Sequence, residues 1–207
     1  DSKTGKSKIK IIAEGANLFI TQDCRLKLEQ AGCVLIKDSS ANKGGVTSSS
    51  MEVLASLALN DSDFVNKFIK NVDGVYDSYV KFIQAKVCAN ATAEFDQLWA
   101  LNQSTGKPIS ILSDELSVAI NKLNDDLIDC KELFDHDLKF KEHLLIDKII
   151  PQVLFETSSQ TKEEVVANIP ENYVNAMLSV YLASNYVYKY GAEPNMGKFL
   201  AFISELK

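Results

Sequence analysis

Apolar residues fall into two different rhythms along this chain. Near the start they come in short runs: Lys8-Ile9-Lys10-Ile11-Ile12 predicts a strand leading into Ala13 and Glu14, and residues 33–37, rich in β-branched side chains, predict a second. Residues 21–30 between them predict a short helix with Leu26 and Leu28 on its apolar side, and Gly32 stands where a C-terminal stop belongs. A strand–helix–strand of this size is too small to be a domain. It reads as the tail of a parallel α/β sheet whose earlier strands are absent here.

From Thr47 onward the rhythm becomes helical. Ser48, Ser49 and Ser50 offer N-cap hydroxyls, and Glu52 follows Ser49 at the spacing of a capping box. Val53, Leu54, Leu57 and Ala58 then form an apolar stripe, and Phe64, Val65, Phe68, Ile69 and Val72 repeat its spacing. Residues 75–100 predict another helix, with Tyr79, Phe82, Ile83, Val87, Phe95 and Trp99 toward the core. Gly106-Lys107-Pro108 breaks the pattern. After Ser113, the residues Leu116, Ile120, Leu123 and Leu127 mark an amphipathic helix. Pro170 fits the first turn of a helix ending at Tyr190 with Gly191 as its stop, and a last helix runs from Asn195 to the end. No internal repeat or low-complexity segment stands out.

Composition narrows the classes of function. The 207 residues, 46% hydrophobic and 24% charged, are those of an ordinary globular chain with ample core. A net charge of −6 argues against a nucleic-acid partner, which wants a basic face. Asp125, Asp126, Asp129, Glu132, Asp135 and Asp137 are interleaved with lysines and read as a solvated face. Cys24, Cys33, Cys88 and Cys130 are widely spaced and only two histidines, His136 and His143, accompany them. Reduced thiols are therefore expected, with no metal site and no disulfide framework. The longest apolar stretch, residues 173–190, is interrupted by Asn175, Ser179, Ser184, Asn185 and Lys189, so no membrane span is expected. The polar start has no signal-peptide core, but Asp1 is not expected to be the natural first residue, which leaves targeting open.

Candidate chemistry gathers in two loops at predicted strand ends. In Ala13-Glu14-Gly15-Ala16-Asn17, the Asn17 carboxamide both donates and accepts, which suits a nicotinamide amide or its ribose; an Asn bonding its own turn accounts for the same letters. In Asn42-Lys43-Gly44-Gly45-Val46-Thr47-Ser48-Ser49, the two glycines let backbone approach a ligand, and a helix start near Thr47 offers an anion site to which Ser49 adds a hydroxyl. A tight turn followed by a capped helix explains that stretch equally well.

These two loops together resemble the closing strands of the dinucleotide-binding domain of glutamate dehydrogenases. The resemblance is closest to the large NAD-specific enzymes of fungi and runs to the last residue. It implies an α/β remnant, the last strand–helix–strand of a Rossmann-like domain, followed by a mainly α-helical region, so that the whole is mostly α. Residues 1–46 would be the C-terminal end of the NAD-binding domain and 47–207 a helical C-terminal region, with 47–60 as a pivot-like helix joining two domains. By the same resemblance Asn17 and Asn42 contact the nicotinamide-ribose end of NAD, with Gly44 and Gly45 beside it. Val46 then lies against the methylenes of glutamate and Ser49 meets its side-chain carboxylate. Lys43 departs from the small residue common in shorter enzymes of the superfamily and bears on the electrostatics near the cofactor phosphates.

The family's catalytic lysine and aspartate have no counterpart in this chain, and no G-x-G-x-x-G occurs among its nine glycines. The expectation is therefore a C-terminal part of an NAD-dependent glutamate dehydrogenase, inactive alone, whose parent interconverts L-glutamate and 2-oxoglutarate. Its partners would be the remainder of the parent chain and further copies of itself, in the cytoplasm or mitochondria, and an unpaired strand edge at residues 8–12 would be disordered or matched with another copy. A reading from another class makes residues 60–207 a helical assembly or regulatory module without chemistry. A third keeps the superfamily but changes the substrate to leucine, phenylalanine or valine, against which the polar Ser49 weighs mildly.

Overall fold

The computed structural model describes residues 4–130, 134 and 136–207. Strands β1 (Ile11–Ala13) and β2 (Val34–Ile36) pair in parallel, with Ile11 opposite Val34 and Ala13 opposite Ile36. Both are shorter than their apolar runs, although Val34 N–H donates to Lys10 and Ser7 N–H to Ala31, which extends the contact backward. Helix α1 (Gln22–Gln30) joins them; Thr21 caps it by accepting from Cys24 N–H, and Gly32 ends the turn at φ +84°. The side chain that α1 buries is Arg25, while Leu26 and Leu28 are only half-buried. This corrects the expected apolar side, and its cause is an ion network described below.

Two short steps lead out of the sheet: α2 (Asp38–Ala41) and α3 (Gly44–Ala58). Helix α3 therefore starts three residues before Thr47, and the expected serine cap and capping box are not formed. The hydroxyl of Ser48 donates to Gly45 O, and those of Ser49 and Ser50 donate to Val46 O, the back-bonding that serines adopt inside a helix. Met51, Leu54, Ala55 and Ala58 form the buried stripe; Val53 faces outward. Helix α4 (Asp61–Asp63), capped by Asn60, runs into a π-helical turn (Phe64–Ile69). Its wider winding leaves Phe68 buried, Phe64 half-buried, and Val65, Ile69 and Val72 exposed.

Helix α5 (Val75–Thr105) spans 31 residues and ends at Gly106, φ +70°. Tyr79 is buried, with its hydroxyl donating to Met51 O at 2.6 Å. Phe95 and Trp99, expected in the core, are both 40% exposed and stack on each other at 6.0 Å; Glu94 and Leu98 are buried instead. At 3.6 residues per turn, Phe95 lies about 160° around the axis from Tyr79, on the opposite face. A stripe judged turn by turn loses that drift over so long a helix.

Helix α6 (Ile109–Asp129) begins directly after Pro108, so Ser113 sits within it, fully buried, and is not its cap. Leu116 and Leu127 are buried as expected, with Ile120 and Leu123 half-buried. Helix α7 (Leu138–Leu144) continues through a π turn (Leu145–Ile149), followed by α8 (Gln152–Thr157) and α9 (Lys162–Ala167). Helix α10 (Glu171–Tyr190) packs along α6, stops at Gly191, and is followed by α11 (Met196–Leu206), capped by Asn195. Residues of α3, α5, α6, α7, α8 and α10 share one apolar core. The architecture is mostly α-helical with one small parallel strand pair at its edge. Asp125, Asp126 and Asp129 are exposed; Asp137 caps α7 and pairs with Lys207 at 2.7 Å; Glu132 and Asp135 lie outside the described residues.

Candidate functional site

The first candidate loop leaves β1 at Glu14, whose amide donates to Ile36 O. The Glu14 side chain turns inward and receives a bidentate pair from Arg25, Nε to Oε1 at 2.8 Å and Nη2 to Oε2 at 2.9 Å. Arg25 Nη2 also lies 3.2 Å from Asp38 Oδ2. Asp38, the first residue of α2, accepts from the amides of Leu18 and Ser39, both at 2.8 Å. Leu18 occupies the left-handed region at φ +57°, unusual for a branched residue, and its bond to Asp38 holds it there. Donating to the Glu14 carboxylate raises the Arg25 guanidinium further above its already high range. Burial alone would raise the Asp38 carboxyl, but the Leu18 and Ser39 amides and the Arg25 cation outweigh it and hold the carboxyl below its ordinary value. Glu14 stands in the first candidate loop without a role of its own, and nothing in the sequence around Arg25 and Asp38 signals that the three are buried together.

The second loop is the corner between α2 and α3, and it meets the first. Asn42 Nδ2 donates to Asn17 Oδ1 at 3.2 Å, so the two expected cofactor carboxamides stand side by side on an exposed face. Gly44 and Gly45 open α3, and a Cβ at either would meet nothing within 4 Å. Lys43 occupies the N-cap position without a side-chain cap bond, which leaves the first-turn amides of α3 facing this corner. Val46 is 76% exposed and Ser49 is exposed one turn further along. Gly44 and Ser48 also line an apolar groove of about 440 Å³ between α3 and α5, with Glu52, Tyr76, Tyr79 and Ile83. Of the six expected site residues, Asn17 and Asn42 are joined directly, and Gly44, Gly45, Val46 and Ser49 follow on the first two turns of α3.

Lys43 turns away from that edge. Its ammonium pairs with Glu94 Oε2 of α5 at 2.5 Å, and the Tyr188 hydroxyl of α10 donates to the same oxygen at 2.7 Å. Glu94 is only 2% exposed. The only sequence signal for it was an acidic residue one turn from Leu98 on the buried side of a long helix. His136 is exposed, and His143 bonds Asp147 of its own helix at 2.7 Å. Cys24, Cys88 and Cys130 are free and exposed, and burial pushes the Cys33 thiol up. Among the described residues no cluster of His, Cys, Asp and Glu is placed to hold a metal ion, and no helix is long and apolar enough to cross a membrane.

A parallel strand pair thus leads, through two loops that meet at Asn17 and Asn42, into a helix opened by two glycines. Residues 1–106 match the family model of the glutamate/leucine/phenylalanine/valine dehydrogenases, and the chain belongs to that family. It is 56% identical over 211 residues to the NAD-specific glutamate dehydrogenase of Saccharomyces cerevisiae, an alignment that takes in 100% of this chain and 19% of that protein. It is 44% identical over 207 residues to the NAD-specific glutamate dehydrogenase of Neurospora crassa, covering 98% of this chain and 19% of that one. Glutamate dehydrogenase 2 of Dictyostelium discoideum is also 44% identical, over 99% of this chain and 19% of its own length. The chain therefore spans about a fifth of the length of these relatives. No solved structure matches it.

Proposed function

We propose that this chain forms one wall of the cleft of an NAD-dependent glutamate dehydrogenase, orienting cofactor and substrate while the catalytic lysine and aspartate come from elsewhere in a longer polypeptide. The observation that carries this reading is the 3.2 Å bond between Asn42 and Asn17 at the open start of α3, in a chain of this family. With that bond made, Asn17 keeps its amide protons and Asn42 keeps its carbonyl oxygen. Together they offer a donor and an acceptor side by side, the complement of a nicotinamide carboxamide. Gly44 and Gly45 leave bare backbone beside them, so the residues present fit NAD.

When bound, NAD accepts the hydride from the substrate's α-carbon. This chain's share is alignment, on which hydride transfer depends steeply. Val46 offers apolar surface to the methylenes of glutamate. The Ser49 hydroxyl, which donates to Val46 O at 3.1 Å, turns outward to the side-chain carboxylate, exchanging a neutral hydrogen bond for a charge-assisted one. The α3 dipole favours the same anion. A second, compatible reading gives residues 60–207 a part in assembly into homo-oligomers, favoured by the exposed, stacked Phe95 and Trp99.

The test is glutamate-dependent NAD reduction by the full-length polypeptide that contains this segment. Ser49→Ala is expected to raise the KM for glutamate about tenfold or more, the size of a lost charge-assisted bond, with the KM for NAD nearly unchanged. Asn42→Ala is expected to do the reverse. Unchanged glutamate kinetics in a folded Ser49→Ala enzyme would remove Ser49 from the site.

A further inference from the structure

Only Asn42 and Lys43 separate α2 from α3, so whatever holds Lys43 also sets how Asn42 faces the first loop. Lys43 has helical backbone angles (φ −81°, ψ −17°) at a position where extended ones are usual, and no side chain caps the helix there. Its anchor is Glu94. A carboxylate taken out of water costs several kcal/mol unless donors replace the solvent. Here the two donors to Oε2 come from segments distant in sequence, Lys43 from the glycine corner and Tyr188 from the last turn of α10. Burial first, then the charge of Glu94, pushes the Tyr188 phenol far up, so it remains a donor.

We infer that Glu94 is a positioning residue for the cofactor corner: braced by Tyr188, it clamps Lys43 and so fixes the direction in which Asn42 presents its carboxamide. The inference rests on the reading of residues 42–49 as a cofactor loop. It gives the helical region a part in cofactor binding without touching the cofactor. It also gives Lys43 a reason to be long and charged, since a small residue there cannot reach Glu94.

The test uses the full-length enzyme and four variants: Glu94→Gln, Tyr188→Phe, Lys43→Met and the double variant Lys43→Met/Glu94→Gln. Glu94→Gln and Tyr188→Phe are expected to raise the KM for NAD on the order of tenfold, within the hundredfold or so that a misplaced binding group can cost. The KM for glutamate and kcat should change far less. Because Glu94 acts through Lys43, the double variant should bind NAD no worse than Lys43→Met alone. If Glu94→Gln does not fold, Tyr188→Phe, which keeps the ring and loses one hydrogen bond, decides alone. Folded variants with the parent KM for NAD would overturn the inference. So would a lower KM, which would mean that Glu94 withholds a cation from the cofactor phosphates. Asn42→Ala keeps the two levels apart: if it too leaves the KM for NAD unchanged, the cofactor-loop reading has failed, and if it alone raises the KM, only the clamp has failed.

Discussion

Arg25 belongs to a short helix in which Asp23 and Lys27 face solvent, yet its side chain is buried between Glu14 and Asp38. The geometry suits arginine and no other residue, since a planar fork meets both oxygens of Glu14 and still reaches a second carboxylate. Replacing it with methionine would leave two buried carboxylates without their cation, a change that costs about 3–5 kcal/mol where buried pairs have been broken. The loss should appear first in the loop that the network supports. Arg25→Met is expected to abolish protection of the Leu18 amide against hydrogen exchange, because that amide bonds Asp38. Arg25→Lys should recover part of it. A Leu18 amide as slow in Arg25→Met as in the parent would show that the loop stands without the network.

At the scale of elements, Asp63 does similar work between two helices distant in sequence. It ends α4 and accepts from the backbone and hydroxyl of Ser159, both at 2.7 Å, tying α4 to the loop before α9, and it pairs with Lys67 at 2.7 Å. Burial would raise its carboxyl, but Lys67, Ser159 and Asn60 together lower it to about 2. A folded-state pKa below the unfolded value gives stability that is complete above about pH 4 and is lost as pH falls toward about 2. Asp63→Asn is expected to flatten that loss, followed as acid unfolding by circular dichroism; equal acid sensitivity in both forms would refute the linkage. Neither tie was legible in the sequence. Helix breaks were, because Gly106-Lys107-Pro108, Pro170 and Gly191 act through local backbone geometry alone. The start of α3 was not, since a serine that caps a helix and a serine that bonds back within one have the same letter. The site was legible as two loops, but their meeting through Asn17 and Asn42, and the Lys43–Glu94–Tyr188 clamp, depend on packing between distant segments.

For the molecule as a whole, the question is whether the strand pair and the helical region are separable. Val34 and Ile36 of β2 pack against the helical core, and specific polar contacts join the two parts as well. Glu29 of α1 accepts from the amide and hydroxyl of Ser110, at 3.1 and 2.6 Å, and so covers the start of α6, which has no side-chain cap of its own. Ser40 of α2 bonds the buried Ser113 at 2.6 Å, and Lys37 pairs with Asp114. Beneath α3, Leu54 and Ala58 share a core with Leu116, Leu154 and Leu178, each leucine fully or almost fully buried and each contributing about 1.5–3 kcal/mol. Deleting residues 110–207 from the full-length polypeptide would strip α1, α2 and α3 of these partners at once. The truncated protein is therefore expected to lose glutamate-dependent NAD reduction together with its folded cofactor corner, seen as rapid proteolysis within residues 14–58. A truncated enzyme that stayed protease-resistant there and kept its turnover per subunit would separate the two parts, and would leave the helices with assembly alone.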